Sequence, residues 1–119
     1  MDVLKLLQTE LATFASERDW DQFHTPKNLA MALAGEAGEL VERFQWLTPE
    51  QSERDGLSSE ALQAIEEEMA DVLLYLVRLA DRLNVDLGAV AQAKLRLNGE
   101  KYPVDEAKGN AVKYSRREK

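Results

Sequence analysis

The sequence predicts an all-α fold, an antiparallel bundle of about four helices. Apolar residues recur at helical spacing along most of the chain, and no segment shows the alternation of a β-strand. Ser, Thr or Asp residues also stand where these periodic segments would begin, as helix N-caps do. The chain has 119 residues, 45% of them hydrophobic and 31% charged, which suits one globular domain over residues 1–119. We expect the helical core at about residues 3–103.

Four amphipathic segments define the expected helices. The second begins with Thr25 followed by Pro26, a favourable pair of N-cap and first helical residue. The third begins at Ser58 or Ser59, and Asp86 caps the fourth. The expected bounds are Val3 to about Ser16, Pro26 to about Leu47, Ser58 or Ser59 to about Asn84, and Asp86 to about Asn98 or Gly99.

Two connecting segments and a tail complete the predicted organisation. The segment Arg18–Pro26 interrupts the helical pattern and concentrates aromatic residues in a loop. The segment Thr48–Leu57 is a polar connector in which Thr48 and the following proline could begin a short helical turn. After Pro103 the chain is polar and contains glycine, so we expect residues 104–119 to form a tail with a flexible end.

Charge and composition exclude several kinds of function. The net charge of −7 and the pI near 4.8 disfavour nonspecific binding to a nucleic acid polymer or an anionic membrane. There is no cysteine, which excludes disulfides, thiolate nucleophiles and cysteine-based zinc sites. The N-terminal segment is too polar for a signal peptide, and no apolar run approaches the roughly 18 residues of a membrane span. We therefore expect a cytoplasmic protein with neither nucleic acid nor membrane as a partner.

Two acidic pairs occupy equivalent positions on the second and third expected helices. On a helical wheel of about 100° per residue with Glu36 at zero, the apolar arc lies at about +20° to +80° and Glu39 at about −60°. With Glu68 at zero, the third helix has its apolar arc in the same sector and Asp71 at about −60°. Packing the two helices along these arcs would therefore direct four carboxylates at one place.

Such a group of acids requires a counter-charge. Four carboxylates without cations would repel one another, and their pKa values would rise. Arg43 and Arg78 flank the apolar arcs and could neutralise part of this charge, and a hard divalent cation would do so better. Oxygen ligands alone favour Mg²⁺, Mn²⁺ or Ca²⁺ over zinc. Di-iron sites use Glu-x-x-His motifs, whereas the sole histidine, His24, lies outside both helices, so we predict Mg²⁺ with Mn²⁺ as the alternative.

The acids could instead form the solvated border of two amphipathic helices, since Glu-x-x-Glu is a common surface spacing. The matching offsets on two helices favour a shared site. Gly35 and Gly38 favour it too, because glycine inside a helix costs about 1 kcal/mol against alanine and indicates a close approach to the face around Glu36. A carboxylate-held magnesium ion with open water positions suits hydrolysis of a phosphoanhydride, and a spare carboxylate could accept the proton of the attacking water.

Three segments of the chain together resemble a known family: GEAGELVERFQW, EEEMADVLLYLVRLA and KLRLNGEKYP. They are similar to the MazG-like all-α nucleoside triphosphate pyrophosphohydrolases, and ERDWDQFHTPKNLAMALAGEAGELVERFQW resembles the dCTP pyrophosphatase branch. The resemblance covers about Glu17–Pro103. It implies cleavage of a deoxynucleoside triphosphate between its α and β phosphates, which releases the monophosphate and pyrophosphate and cleanses the nucleotide pool. It implies metal-binding and catalytic roles for Glu36, Glu39, Glu68 and Asp71, and assembly as a homodimer or homotetramer.

The resemblance and the helical wheels also predict a set of substrate contacts. Asn28, Trp46 and Tyr75 lie on the acidic side of the wheels, and the C-terminal pattern of the family would approach the triphosphate. Each residue has a plainer interpretation, because tryptophan and tyrosine are often core residues and lysines usually lie at the surface. The predicted substrate-binding residues are Trp20, His24, Asn28, Trp46, Tyr75, Lys94, Asn98, Lys101 and Tyr102.

Two alternatives stay open from the sequence. Mammalian members of the family carry a histidine where this chain has Leu11, so a preference for dUTP or for purine triphosphates competes with dCTP. A noncatalytic module for nucleotide sensing or partner docking could use the same bundle, with its acids paired by Arg43 and Arg78.

Overall fold

A computed structural model describes residues 2–113 and 115 of the chain. These residues contain four helices of at least fifteen residues and no strand, which confirms the all-α class. The helices are α1 (Val3–Glu17), α2 (Pro26–Glu42), α3 (Ser59–Arg82), α4 (Leu87–Lys101) and the short α5 (Val104–Ala107), with a 3₁₀ turn at Arg54–Gly56. None of them combines enough length with enough apolar character for a membrane span.

The four long helices begin where the sequence predicts because a side-chain oxygen caps each of them. In every case the N-cap oxygen accepts a hydrogen bond from the backbone N–H three residues later, which satisfies one of the free donors of the first turn. Ser58, and not Ser59, is therefore the cap of α3. The donor–acceptor pairs are Lys5–Asp2 at 3.2 Å, and Asn28–Thr25, Ala61–Ser58 and Ala89–Asp86 at 3.1 Å each.

The predicted end of the second helix was wrong. Helix α2 ends at Glu42, and the chain then forms turns up to Trp46. Here the backbone N–H of Arg43 donates to the carbonyl of Leu40 at 3.1 Å, three residues back instead of four. The apolar spacing continues beyond this tightening, so the periodicity did not reveal it. Trp46 consequently does not belong to α2.

The polar connector after α2 begins as expected. The Thr48 hydroxyl oxygen accepts from the backbone N–H of Gln51 at 3.2 Å, and the Gln51 side-chain oxygen accepts from the backbone N–H of Thr48 at 2.9 Å. This reciprocal pair is a capping box, and it confirms the short turn predicted at Thr48.

Helices α1, α2 and α3 belong to one compact unit that ends at Val85. Helix α3 packs against both α2 and α1. Gln8 of α1 donates to Asp81 of α3, whereas Phe14, further along α1, shares a cavity with the earlier residue Leu74. Helices α1 and α3 are therefore antiparallel. The buried apolar core of the described residues is small, with Ala15, Leu29, Ile65, Val77 and Ala80.

A second compact unit begins at Asp86 and contains α4 and α5. Helix α4 extends to Lys101, slightly beyond its expected end. The predicted tail starts with the helical turn of α5, which follows Pro103. The end of that tail, residue 114 and residues 116–119, lies outside the described residues.

The capping of α3 is testable with two neighbouring serines. Ser58→Ala should lower the free energy of unfolding by about 1 kcal/mol, because it removes the side-chain acceptor for the Ala61 N–H. Ser59→Ala is the matched control and should change stability little. Urea unfolding followed by circular dichroism measures both. Equal losses in the two variants would contradict the assignment of Ser58 as the cap.

Candidate active site

The packing of α2 against α3 brings three carboxylates together. Glu36 and Glu39 lie one turn apart on α2, and Glu68 lies on the facing side of α3. One carboxylate oxygen from each residue lies within 4.8 Å of the other two. Glu68 is buried, Glu36 is half-buried and Glu39 is exposed. We call these three residues the carboxylate cluster.

Two oxygens of the carboxylate cluster have no hydrogen-bond partner within the described residues. They are Oε2 of Glu36 and Oε2 of Glu68, and both are buried. The other oxygen of Glu68 accepts from Arg43, but this contact is long, at 3.4 Å, and the arginine side chain is 48% exposed. An unpartnered buried acceptor is costly, and here the acceptors are anionic. Converging oxygen-only donors with free lone pairs fit a hard divalent cation such as Mg²⁺.

The neighbouring acids perturb the protonation of Glu36. The pKa of Glu36 is raised from 4.5 to about 7, first by a side-chain hydrogen bond with Glu39, then by burial and by the charges of Glu39, Asp71 and Glu68. Two ionised carboxylates cannot hydrogen-bond, so this bond requires a proton shared between Glu36 and Glu39. The carboxylate cluster therefore favours either a proton or a cation between its members.

Asp71 lies beside the cluster but outside the group of three. Its charge contributes to the raised pKa of Glu36. The structure thus brings three of the four predicted metal ligands together and places the fourth next to them. Asp71 also belongs to the wall of a cavity, so that cavity adjoins the carboxylate cluster.

The cavity has a volume of about 290 Å³ and mostly apolar walls. Helix α1 and the following loop form one side, and α3 forms the other. The Trp20 ring lies edge-on to Phe14, with centroids 5.7 Å apart, and edge-on to His24, with centroids 6.0 Å apart. Such aromatic walls suit a flat apolar ring. The lining residues are Leu11, Phe14, Trp20, His24, Asp71, Leu74, Tyr75 and Arg78.

One buried cation organises the far side of this cavity. Arg78 is only 5% exposed, and its Nε donates to Nδ1 of His24 at 3.1 Å. Its Nη2 donates to Asp21 at 2.6 Å and its Nη1 to Asp81 at 3.1 Å. The pKa of His24 is lowered by burial and by the charge of Arg78, and the charge of Asp21 opposes this only in part. We call Arg78 and these three partners the Arg78 network.

The two predicted counter-charges behave differently. Arg43 contacts Glu68, as expected for a residue that neutralises the acids. Arg78 does not fill that role, because Asp21 and Asp81 take its charge. Asp21 lies 57 residues from Arg78 in the sequence, so no local pattern predicts that the two form an ion pair. The sequence predicts the aromatic loop at residues 18–25, but it does not predict the anchoring of this loop to α3.

The other predicted contacts are distributed over several elements. Trp20, His24 and Tyr75 meet at the cavity. Asn28 lies in the first turn of α2, where its side-chain amide donates to the carbonyl of Phe23 at 3.0 Å, and it is not among the cavity residues. Trp46 is 87% exposed in the turns after α2 and is likewise absent from the cavity wall.

The C-terminal group of predicted contacts belongs to the second compact unit. Lys94, Asn98 and Lys101 follow one another at spacings of four and three on α4, so they share one face of this helix. Tyr102 is the C-cap of α4, and its backbone N–H donates to the Asn98 carbonyl at 2.9 Å.

The two interior glycines of α2 also differ from expectation. Among the described residues, apart from the adjoining residues and the nearby backbone of α2 itself, no atom lies within 4 Å of the position that a Cβ would take at Gly35 or at Gly38. The close approach predicted at this face is therefore not made by the described part of the chain.

The sequence around the carboxylate cluster is similar to that of known proteins. The model of the MazG-like family matches residues 32–116, which include the whole carboxylate cluster. The chain belongs to the MazG-like family. This MazG-like chain is 47% identical over 104 residues to dCTP pyrophosphatase 1 of Bos taurus and, at the same identity, to that of Homo sapiens. Those matches cover 87% of this chain but 62% and 61% of the two relatives, so the chain spans about three fifths of their length.

A solved structure shares the fold of this MazG-like chain. A pyrophosphatase from Archaeoglobus fulgidus superimposes with a TM-score of 0.78 at 36% sequence identity. The match covers 87% of this chain and 94% of that protein. The all-helical arrangement is therefore shared with a solved pyrophosphatase.

Metal binding at the carboxylate cluster can be tested without catalysis. Mg²⁺ should raise the melting temperature, because a ligand that binds only the folded state at 100 times its Kd adds about 2.7 kcal/mol. Glu68→Gln should remove most of this response, since it replaces a buried carboxylate that is one of the predicted ligands. Glu67→Gln removes the same charge from the exposed neighbouring position and should retain it. Thermal unfolding over a magnesium titration measures all three proteins, and identical responses would contradict the assignment.

The raised pKa of Glu36 predicts a pH-dependent stability in the presence of a chelator. A carboxyl whose folded pKa is about 7 instead of 4.5 stabilises the protein fully below about pH 4.5, and this contribution disappears as the pH rises through about 7. Glu36→Gln cannot ionise and escapes this loss. Its melting temperature relative to wild type should therefore increase between about pH 5 and about pH 8. A pH-independent difference would show that Glu36 is not perturbed.

Proposed function

We propose that this MazG-like chain is a Mg²⁺-dependent nucleoside triphosphate pyrophosphohydrolase. It cleaves dCTP or modified dCTP between the α and β phosphates and releases the monophosphate and pyrophosphate, which cleanses the nucleotide pool. The main support is the juxtaposition of a cavity with aromatic walls and an acidic cluster with two unpartnered buried oxygens. The names of the relatives, dCTP pyrophosphatase 1 and pyrophosphatase, support the same reaction.

In this proposal the acids bind the cation and accept the proton of the attacking water. Glu36, Glu39, Glu68 and Asp71 are the proposed ligands, and Mn²⁺ would suit the same oxygens. When bound, Mg²⁺ offsets the charge of the phosphates and lowers the pKa of water. A carboxylate oxygen that the cation leaves free can accept the proton that the attacking water loses. Arg43, held only by a long contact to Glu68, keeps a half-exposed guanidinium beside the phosphate region.

The cavity holds the nucleoside part of the substrate in this proposal. Trp20 and Tyr75 provide aromatic surface, and His24 provides a polar edge. Since Asp71 belongs to both regions, the phosphates lie at its end of the cavity and the base lies further along α3. Leu11 has no donor or acceptor, so recognition of the base falls to the polar residues of the wall.

The remaining predicted contacts stay part of the proposal. Trp46 leaves most of its indole surface unpacked, which suits contact with a ligand or with a second copy of the chain. Asn28 fixes the aromatic loop through the Phe23 carbonyl and thereby supports Trp20 and His24. By resemblance to the C-terminal pattern of the family, the proposal also includes contacts with the triphosphate from Lys94, Asn98, Lys101 and Tyr102.

Assembly as a homodimer or homotetramer also belongs to the proposal. The long helices expose large apolar side chains, and covering them would add to the small core. On α2 these are Met31, 63% exposed, and Val41, 60% exposed; on α3 they are Met69, 56% exposed, and Leu73, 39% exposed. A cytoplasmic location, with no nucleic acid polymer or membrane as partner, accompanies this activity.

The activity test uses a panel of nucleotides. The protein is incubated with Mg²⁺ and dCTP, dUTP, dTTP, dATP or dGTP, and both pyrophosphate and monophosphate are quantified. We expect the highest kcat/KM with dCTP. Glu68→Gln should lower kcat by about 100- to 1,000-fold, the loss typical of removing a group that supports transition-state charge. Glu67→Gln is the matched control and should retain activity.

The possible outcomes separate the competing hypotheses. A folded protein that binds Mg²⁺ yet releases no pyrophosphate from any nucleotide would contradict the enzyme and favour a noncatalytic nucleotide-sensing or partner-docking module. Faster turnover of dUTP or of a purine triphosphate would retain the reaction and overturn only the base preference. Release of orthophosphate instead of pyrophosphate would overturn the proposed bond.

A further inference from the structure

The Arg78 network has a feature that the proposed chemistry leaves unused. The guanidinium of arginine carries only donors, so its Nε contact requires Nδ1 of His24 to be an acceptor. A neutral imidazole with an acceptor at Nδ1 carries its proton on Nε2. The lowered pKa of His24 keeps the ring neutral near neutral pH, in the presence of Asp21, Arg78 and Arg82. The ring therefore has one remaining polar edge, the Nε2–H donor.

Arg78 is fixed too firmly to release His24 easily. Its two terminal nitrogens bind Asp21 and Asp81, and the side chain is 6% exposed. Asp81 also accepts from Gln8 of α1 at 2.7 Å. The guanidinium thus joins the aromatic loop, α3 and, through Asp81, α1. This is a rigid support for a ring on the cavity wall.

The position of this support along α3 identifies what it faces. Asp71, Tyr75 and Arg78 all line the cavity, at spacings of four and three residues. Arg78 lies seven residues beyond Asp71, about 10 Å further along the helix axis. If the phosphates lie at Asp71, the end of the cavity at Arg78 and His24 receives the base.

We propose that Arg78 is a positioning residue that holds His24 in the Nε2–H form, so that His24 donates a hydrogen bond to an acceptor on the edge of the base. This inference rests on the proposed function, because it takes the cavity to hold a nucleoside. A carbonyl oxygen or unprotonated ring nitrogen, as in cytosine, is the matching group. Arg78 contributes to the recognition of the base through His24, without contacting the reacting phosphates.

The single histidine of the chain makes the tautomer directly measurable. NMR of the full chain with ¹⁵N-labelled histidine should show one ring with its proton on Nε2. Arg78→Leu should abolish this single tautomer. Arg82→Leu is the matched control, because it removes a cation one turn along α3 that has no hydrogen bond to His24 among the described contacts. It should leave the tautomer unchanged.

Deoxycytidine without metal probes the proposed hydrogen bond. It should shift the His24 signals of wild type, whereas 2-deoxyribose 5-phosphate, which lacks a base, should not. Arg78→Leu and His24→Ala should each weaken deoxycytidine binding about fivefold or more, as expected for one lost hydrogen bond. In the double variant the losses should not add, because Arg78 acts through His24.

Several results would overturn the inference. A proton on Nδ1 in the wild-type spectrum does so without any variant, which covers the case in which Arg78→Leu fails to fold. An unchanged tautomer and affinity in Arg78→Leu, or His24 signals that ignore deoxycytidine up to its solubility, do so as well. None of these measurements depends on hydrolysis. If these measurements contradict the inference while dCTP is still hydrolysed, the proposed function stands and only the role of Arg78 and His24 is overturned. If dCTP is not hydrolysed but deoxycytidine shifts the His24 signals, the proposed function is overturned and the inference stands.

Discussion

The mutual repulsion of like charges between α2 and α3 is the constraint around which this molecule is built. Their packing buries Glu68 beside Glu36, and the charge of Glu68 contributes to the raised pKa of Glu36. The contact from Arg43 is long and half-exposed, so it offsets only part of that charge. A proton or a divalent cation must supply the remainder. The interface between α2 and α3 is therefore also the candidate site. Its stability depends on whether a proton or a cation lies between the carboxylates.

The opposite end of the cavity follows a different electrostatic principle. Buried Arg78 is paired there with both Asp21 and Asp81, which makes that end rich in fixed hydrogen bonds and leaves the arginine charge fully compensated. A buried charge of this kind is tolerated because every nitrogen has a partner. The cavity thus passes from an anionic, cation-demanding end to an apolar, aromatic end with one defined donor on His24. A nucleoside triphosphate would match this order, with its metal-bound phosphates at the acidic end and its flat base at the aromatic end.

Local chemistry determined how much the sequence could predict. Helix starts follow from capping side chains three residues before their N–H donors, as at Ser58, so they were predictable. The convergence of Glu36, Glu39 and Glu68 was also predictable, because helical periodicity fixes which faces meet. The end of α2 was not, since the apolar spacing continues through Trp46. The pairing of Arg78 with the aromatic loop was also beyond reach, because it is set by tertiary packing alone.

Gly35 and Gly38 lie inside α2, next to the residues of the carboxylate cluster. Glycine in a helix interior costs about 1 kcal/mol relative to alanine. Among the described residues, no other part of the chain packs against the position of the missing Cβ at either glycine. In the proposed homo-oligomer, another copy of the chain would supply the contact that compensates for this cost. The exposed Met31 and Val41 on the same helix favour a second copy, because burial of such side chains drives association. In the proposed assembly, these glycines would therefore place a second copy of the chain beside the acidic site.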